Sequence, residues 1–174
     1  MKSQQILREK GPPKLILKKN WVISIQMNDK VIHIPVLLDE VIKALSLTKD
    51  EVYVDATFGL GGYTKAILKN KKCKVVAIDR DPHAKVFADS LKESYADRFY
   101  FKMGKFSELG NFLNELKIYE VAGVVFDLGV SSPQLDIQSR GFSFKLDGPL
   151  DMRMSSEGPT AVSYTHLTLP TSWL

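Results

Sequence analysis

Val52 to Thr64, VYVDATFGLGGYT, followed by Val75 to Asp81, VVAIDRD, decides the fold. The first stretch is a short apolar run that breaks into a glycine turn and reopens as a helix. The second is another apolar run ending in a carboxylate. Strand, glycine turn, helix and strand form half of a nucleotide-binding α/β unit. Glycines 59, 61 and 62 remove side chains where a ligand must approach the backbone, and Asp79 stands at a carboxyl strand end, where it can accept hydrogen bonds from ribose hydroxyls. The pattern predicts a site for an adenosine-type cofactor. The competing structural reading is a plain strand-to-helix turn beside an incidental aspartate.

What the turn lacks narrows the cofactor. A dinucleotide fingerprint requires its third glycine three positions after the second, and Thr64 stands there. No Gly-Lys-Ser/Thr phosphate loop occurs anywhere in the chain. A compact glycine turn with a ribose carboxylate and no phosphate clamp suits S-adenosylmethionine, leaving an NAD-type oxidoreductase as the alternative enzyme class.

Outward from this core, strands and helices alternate. Leu37, Leu38, Val41, Ile42 and Leu45 repeat at helical spacing ahead of the first strand, with Asp39 and Glu40 near the helix start. Asp81 and Pro82 form an N-cap and N1 pair for a helix carrying Val86, Phe87 and Leu91. A third strand is expected at Phe99 to Lys102, then a helix capped by Ser107 with Leu109, Phe112, Leu113 and Leu116 on one face. A fourth strand is expected from Val121 to Phe126, ending at Asp127. Such alternation predicts a parallel sheet with right-handed crossovers. Ligands of open parallel sheets lie beyond the carboxyl strand ends, so Asp55, Asp79, Phe106 and Asp127 are expected to converge on one crevice.

The chain has 174 residues, enough for one domain, and a formal charge of +4, which permits an RNA partner without requiring one. No apolar run reaches the roughly 18 residues of a membrane span, so no membrane association is expected. One cysteine, Cys73, excludes internal disulfides and suits a reducing compartment. Residues 1–32 form a basic N-terminal extension with Lys2, Arg8, Lys10, Lys14, Lys18 and Lys19, a candidate mitochondrial targeting segment or a solvated tail.

Beyond Asp127 come DLGVSSPQLD (Asp127 to Asp136), RGFSF (Arg140 to Phe144) and DGPLDMRM (Asp147 to Met154). Together with HIPVLLDEV (His33 to Val41) and the glycine turn, these blocks resemble the small-subunit ribosomal RNA cytidine-N4 methyltransferases of bacteria and mitochondria. The resemblance covers 33–161 and implies the N-terminal part of a Rossmann-like class I methyltransferase fold. It also implies S-adenosylmethionine as donor, the exocyclic amine of a decoding-region cytidine as acceptor, and small-subunit ribosomal RNA or a pre-ribosomal particle as partner. The mitochondrial matrix is the expected compartment, or the cytoplasm in a bacterium. Carried over by position, the cofactor residues are Gly61, Gly62, Tyr63, Asp79, Phe106, Asp127 and Gln134. Tyr63 replaces the histidine usual in the family.

The residue chemistry points the same way. Methylation at cytosine carbon 5 needs a thiolate to add to the ring, and Cys73 lies in a lysine-rich turn away from the crevice. Zinc-dependent deamination needs a PCxxC signature, which is absent, and no metal site is expected. Methylating an amine needs in-line attack on a sulfonium methyl and an oxygen to accept the spare proton. Asp127, Ser131, Ser132 and Pro133 are therefore the expected catalytic set. Arg140, Phe142, Phe144, Lys145 and Arg153 interleave charge with aromatics, and are expected to stack on bases and touch phosphates; an ordinary loop with buried aromatics is the competing reading.

Residues 162–174 resemble translated adapter sequence more than any methyltransferase segment, and an alternative exon is the competing origin. The chain is accordingly expected to be a truncated, inactive version, which also keeps a non-catalytic RNA-binding fragment among the readings.

Overall fold

The computed structural model describes residues 16–18, 22–27, 30–32, 35, 37–70 and 72–165. Three short antiparallel strands come first, β1 (Ile16–Lys18), β2 (Val22–Met27) and β3 (Lys30–Ile32), in the order β1-β2-β3. The side chains of the basic 1–32 extension, and residues 166–174 of the tail, lie outside the described residues. The main body follows as α1 (Leu38–Leu45), β4 (Val52–Asp55), α2 (Gly62–Asn70), β5 (Lys74–Asp79), α3 (Pro82–Tyr95), β6 (Phe99–Met103), α4 (Leu109–Glu115) and β7 (Gly123–Val125). Two short helices, α5 (Ser132–Asp136) and α6 (Ala161–Thr165), complete it.

Strands β4 and β5 carry apolar residues on both faces, so each needs cover from two sides. Tyr53, Val75 and Ala77 point to the layer that holds Ile67 and Leu68 of α2, Ala84, Ala88 and Leu91 of α3, and Phe99. Val54, Val76 and Ile78 point to the other layer, against Leu109, Phe112 and Leu113 of α4. Two-sided burial makes these the central strands of a four-stranded parallel sheet ordered β6-β5-β4-β7. This is the parallel α/β sheet that the alternating pattern implies, in the Rossmann-like form that the family resemblance implies. Burying Ile67 or Phe99 fully stabilises the fold by roughly 1.5–3 kcal/mol each.

Two elements differ from expectation. The fourth strand is shorter than Val121 to Phe126, because its register with Tyr53–Asp55 ends at Val125. Beyond that point the Asp127 amide donates to the Thr57 hydroxyl at 2.7 Å. Phe126, Leu128 and Val130 consequently leave the sheet exposed by 50%, 72% and 43%. Ser107 does not cap the helix expected after the third strand. Phe106–Glu108 forms a 3-10 turn instead, and the Glu108 carboxylate accepts from the Lys105 amide at 2.8 Å.

Candidate functional site

Where β4, β5, β6 and β7 end, the sheet opens into a crevice of about 740 Å³, lined by the glycine turn, Asp79, the 104–107 turn and the 127–134 loop. That volume falls within the range of roughly 300–1,000 Å³ typical of small-molecule sites. Residues distant in sequence meet there because parallel strands discharge their following loops at one edge.

Asp79 is the hinge of the crevice. One carboxylate oxygen accepts from the Gly59 amide at 2.7 Å and the other from the Asp81 amide at 2.8 Å, so this side chain ties the glycine turn to the start of α3. Partial burial raises its pKa, and the two amide hydrogen bonds oppose that rise. Each oxygen keeps a further lone pair for a ligand hydroxyl. Phe106 is half-exposed beside the crevice, its ring 5.6 Å from Phe126 in an edge-on arrangement. Asp127 also lines it, and partial enclosure raises its pKa.

Tyr63 lies in the first turn of α2, 6% exposed, and faces the crevice. Burial, then the negative charges of Asp127, Asp55 and Glu40, push its phenol up to about 12, so it remains a neutral hydroxyl at physiological pH. Its hydroxyl makes no hydrogen bond among the described residues, leaving a donor for a ligand.

Several expectations need correction. Asp55 does not reach the crevice; it is fully buried, accepting from the Thr64 hydroxyl at 2.7 Å and the Thr57 amide at 3.3 Å. Burial pushes its carboxyl up to about 6. An acid raised above its ordinary value of 3.8 stabilises the fold fully below that value and loses the contribution as pH rises through 6. We therefore expect Asp55→Asn to gain on the original chain by about 2–3 kcal/mol between pH 4 and pH 7.5, since Asn has no group that titrates; its carbonyl can keep the Thr57 amide while its NH₂ donates to the Thr64 hydroxyl. Urea midpoints at the two pH values measure it; a difference that stays constant would mean that Asp55 does not titrate in this way.

Within the 131–134 loop, Ser131 and Pro133 line the crevice, whereas Ser132 is 7% exposed and its buried hydroxyl has no partner among the described residues, off the crevice lining. Gln134 borders the crevice, but its side-chain carbonyl accepts from the Ser131 amide at 2.9 Å and its NH₂ donates to Asp81 at 2.8 Å. Its side-chain amide is therefore largely a loop brace.

The basic-aromatic segment also divides. The Arg140 guanidinium is turned inward: it is 14% exposed and pairs with both Asp81 oxygens, at 3.1 and 2.8 Å. Arg153 forms a two-point pair with Asp151 at 2.8 and 2.7 Å. The Phe142 ring lies 5.9 Å from the Arg140 guanidinium and is partly buried. Only Phe144, wholly exposed, and Lys145 project to solvent from the set. Their loop is closed at its neck by glycines: a Cβ on Gly141 would collide with the Pro149 carbonyl, and one on Gly148 with that of Gln138.

Sequence reasoning missed His83 and Met154, which also line the crevice, and the role of Asp81 beyond capping α3. Hydrogen bonds from Arg140, the His83 amide and Gln134 outweigh burial at Asp81 and hold its pKa below the ordinary value. Among the described residues no His, Cys, Asp and Glu cluster could hold a metal, and no helix is long and apolar enough to cross a membrane.

The model of the MraW methylase family matches residues 30–165. Curated relatives bear the name ribosomal RNA small subunit methyltransferase H. That of Ehrlichia canis is 52% identical over 124 residues, 71% of this chain and 42% of its own length. The protein of Paramagnetospirillum magneticum is 49% identical over 136 residues, covering 78% and 43%. That of Rickettsia bellii is 51% identical over 132 residues, covering 76% and 42%. The chain thus spans about two fifths of the length of these relatives.

Proposed function

This chain belongs to the MraW methylase family, and on that premise we propose that its crevice binds S-adenosylmethionine and that the whole protein methylates the N4 amine of a cytidine in small-subunit ribosomal RNA. The observation that carries the reading is Asp79, a carboxylate clipped to a glycine turn at the rim of a crevice of suitable size with no phosphate-binding lysine loop. When bound, the cofactor supplies an electrophilic sulfonium methyl. Asp79 accepts the ribose hydroxyls on its remaining lone pairs, Gly62 at the crevice wall leaves room for close backbone approach while Gly61 packs against Phe58 and Leu91 behind it, and Phe106 offers its face to the adenine. The Tyr63 hydroxyl donates to the polar end of the ligand.

Asp127 and Ser131 are the oxygens best placed to take the proton that the amine sheds, and the raised pKa of Asp127 suits a carboxylate that accepts one. Pro133, the second residue of α5, fixes the first turn of that helix directly after Ser131. The target base must leave its stack to reach such a crevice, which makes an unpaired or flipped-out cytidine the substrate. Phe144 and Lys145 are the side chains we assign to contact with that RNA. The compartment we assign is the mitochondrial matrix, or the cytoplasm in a bacterium, on the basic 1–32 segment and the single cysteine.

Nucleoside mass spectrometry of small-subunit ribosomal RNA from cells lacking the gene tests the proposal. We expect the N4-methylcytidine signal to disappear, returning on expression of the whole gene. An undiminished signal would reject the assignment, and titration with NADH against S-adenosylmethionine would then separate the oxidoreductase alternative.

A further inference from the structure

Four of the contacts described above converge on Asp81, two residues beyond the carboxylate assigned to the ribose. Its amide donates to Asp79, and its carboxylate accepts from Gln134 of the 131–134 loop and from both terminal nitrogens of Arg140. The same guanidinium donates to the carbonyls of Arg153 at 2.9 Å and Met154 at 3.3 Å. Ser131, Pro133 and Met154 line the crevice, so every segment that closes it on this side is fastened to one buried carboxylate. Asp81 is 4% exposed, and its carboxylate accepts from the His83 amide, the Gln134 NH₂ and both terminal nitrogens of Arg140, with the His83 ring nitrogen 3.0 Å from one oxygen, which leaves no lone pair for a ligand.

We propose that Asp81 and Arg140 are positioning residues, a clasp that holds the 131–134 loop and Met154 in register with Asp79 across the crevice. The inference rests on the ligand reading given above for its functional meaning, but the clasp itself is tested without ligand. Planar, two-point pairing of guanidinium with carboxylate fixes orientation as well as distance, which an ammonium cannot reproduce. Groups that line a site act only while their own supports hold them within a fraction of an ångström. The clasp supplies that support for a loop whose own helix, α5, has only five residues.

The test compares the whole chain with Arg140→Ala, Arg140→Lys and Asp81→Asn. Backbone hydrogen exchange is followed in the ligand-free protein, and S-adenosylhomocysteine affinity by calorimetry. Arg140→Ala should raise exchange at 131–136 and 151–154 by about ten-fold or more while 75–78 in β5 stays within about two-fold. Arg140→Lys should fall between it and the original. Millimolar guanidinium, against equal sodium chloride, should restore protection in Arg140→Ala and not in Asp81→Asn. Affinity should drop about ten-fold in Arg140→Ala and recover with guanidinium.

Exchange rising equally in β5 would reduce the pair to general stability, and unchanged exchange at 131–136, or no guanidinium effect, would overturn the clasp. Should Arg140→Ala not fold, Arg140→Lys carries the same comparison, and exchange matching the original chain would overturn it. An original chain that binds no S-adenosylhomocysteine would instead reject the ligand reading, leaving the exchange result to decide the clasp alone.

Discussion

Asp79→Ala is expected to lose nearly all affinity for S-adenosylmethionine and for S-adenosylhomocysteine. Hydrogen bonds to a charged group are worth about 1.5–3 kcal/mol, and the ribose would lose such partners outright, a loss of roughly ten- to 150-fold. The structure adds a second cost. Without the carboxylate, the Gly59 and Asp81 amides that it accepts from at 2.7 and 2.8 Å lose their acceptor, and the glycine turn is no longer tied to α3. Asp79→Asn separates the effects, because its carbonyl keeps one amide and its NH₂ opposes the other. Calorimetric titration reads the affinity and urea unfolding reads the clip. Affinity equal to that of the original chain in Asp79→Ala would remove this residue from the site.

The glycines of the turn should divide sharply on substitution. Gly61 sits at φ +75°, and a Cβ there would lie 2.8 Å from the Phe58 ring and 3.1 Å from Leu91. A side chain in that conformation costs roughly 1–2 kcal/mol. Overpacking a filled core adds about 1–3 kcal/mol, so Gly61→Ala should lower stability by about 2–5 kcal/mol. Gly59, at φ +54°, has its nearest neighbour 4.0 Å from a Cβ, and Asn tolerates that backbone. Gly59→Asn should therefore stay within about 1 kcal/mol of the original stability and lose ligand affinity, because it places a side chain at the crevice. Urea midpoints and titration on both variants check the division; similar losses of stability in the two would show that the turn, not its packing, sets the requirement.

That division marks the limit of what the sequence disclosed. Two apolar runs around a glycine turn were enough to place β4, α2 and β5, because burial on both faces follows directly from Val54, Val76 and Ile78 lying opposite Tyr53, Val75 and Ala77. Asp79 and Asp127 were legible as strand-end carboxylates for the same reason. Asp55 was not, since an aspartate ending a strand looks alike in sequence whether it faces solvent or accepts from Thr64 within the protein. Arg140 and Arg153 were illegible in another sense, because their pairing with Asp81 and Asp151 does not show in the sequence. A cationic residue among aromatics suggests a nucleic-acid surface, but whether its charge faces outward depends on a partner, and Asp81 lies 59 residues from Arg140 along the chain. Long-range pairings of this kind leave no periodicity to find. Tyr63 was placed by position, while its hydroxyl, without a hydrogen bond among the described residues, became visible only with its surroundings.

The outer edge of β7 has a consequence of a colloidal kind. Among the described residues strand β7 pairs with β4 alone, and Phe126, Leu128 and Val130 follow it into solvent. An unpaired parallel edge next to apolar side chains is a template for another strand. In the 174-residue chain such an edge makes attraction between molecules short-ranged and directional. Its second virial coefficient should be negative at ionic strengths where the charge of +4 alone would keep molecules apart. Added salt, by screening that charge, would then bring the chains together instead of dispersing them.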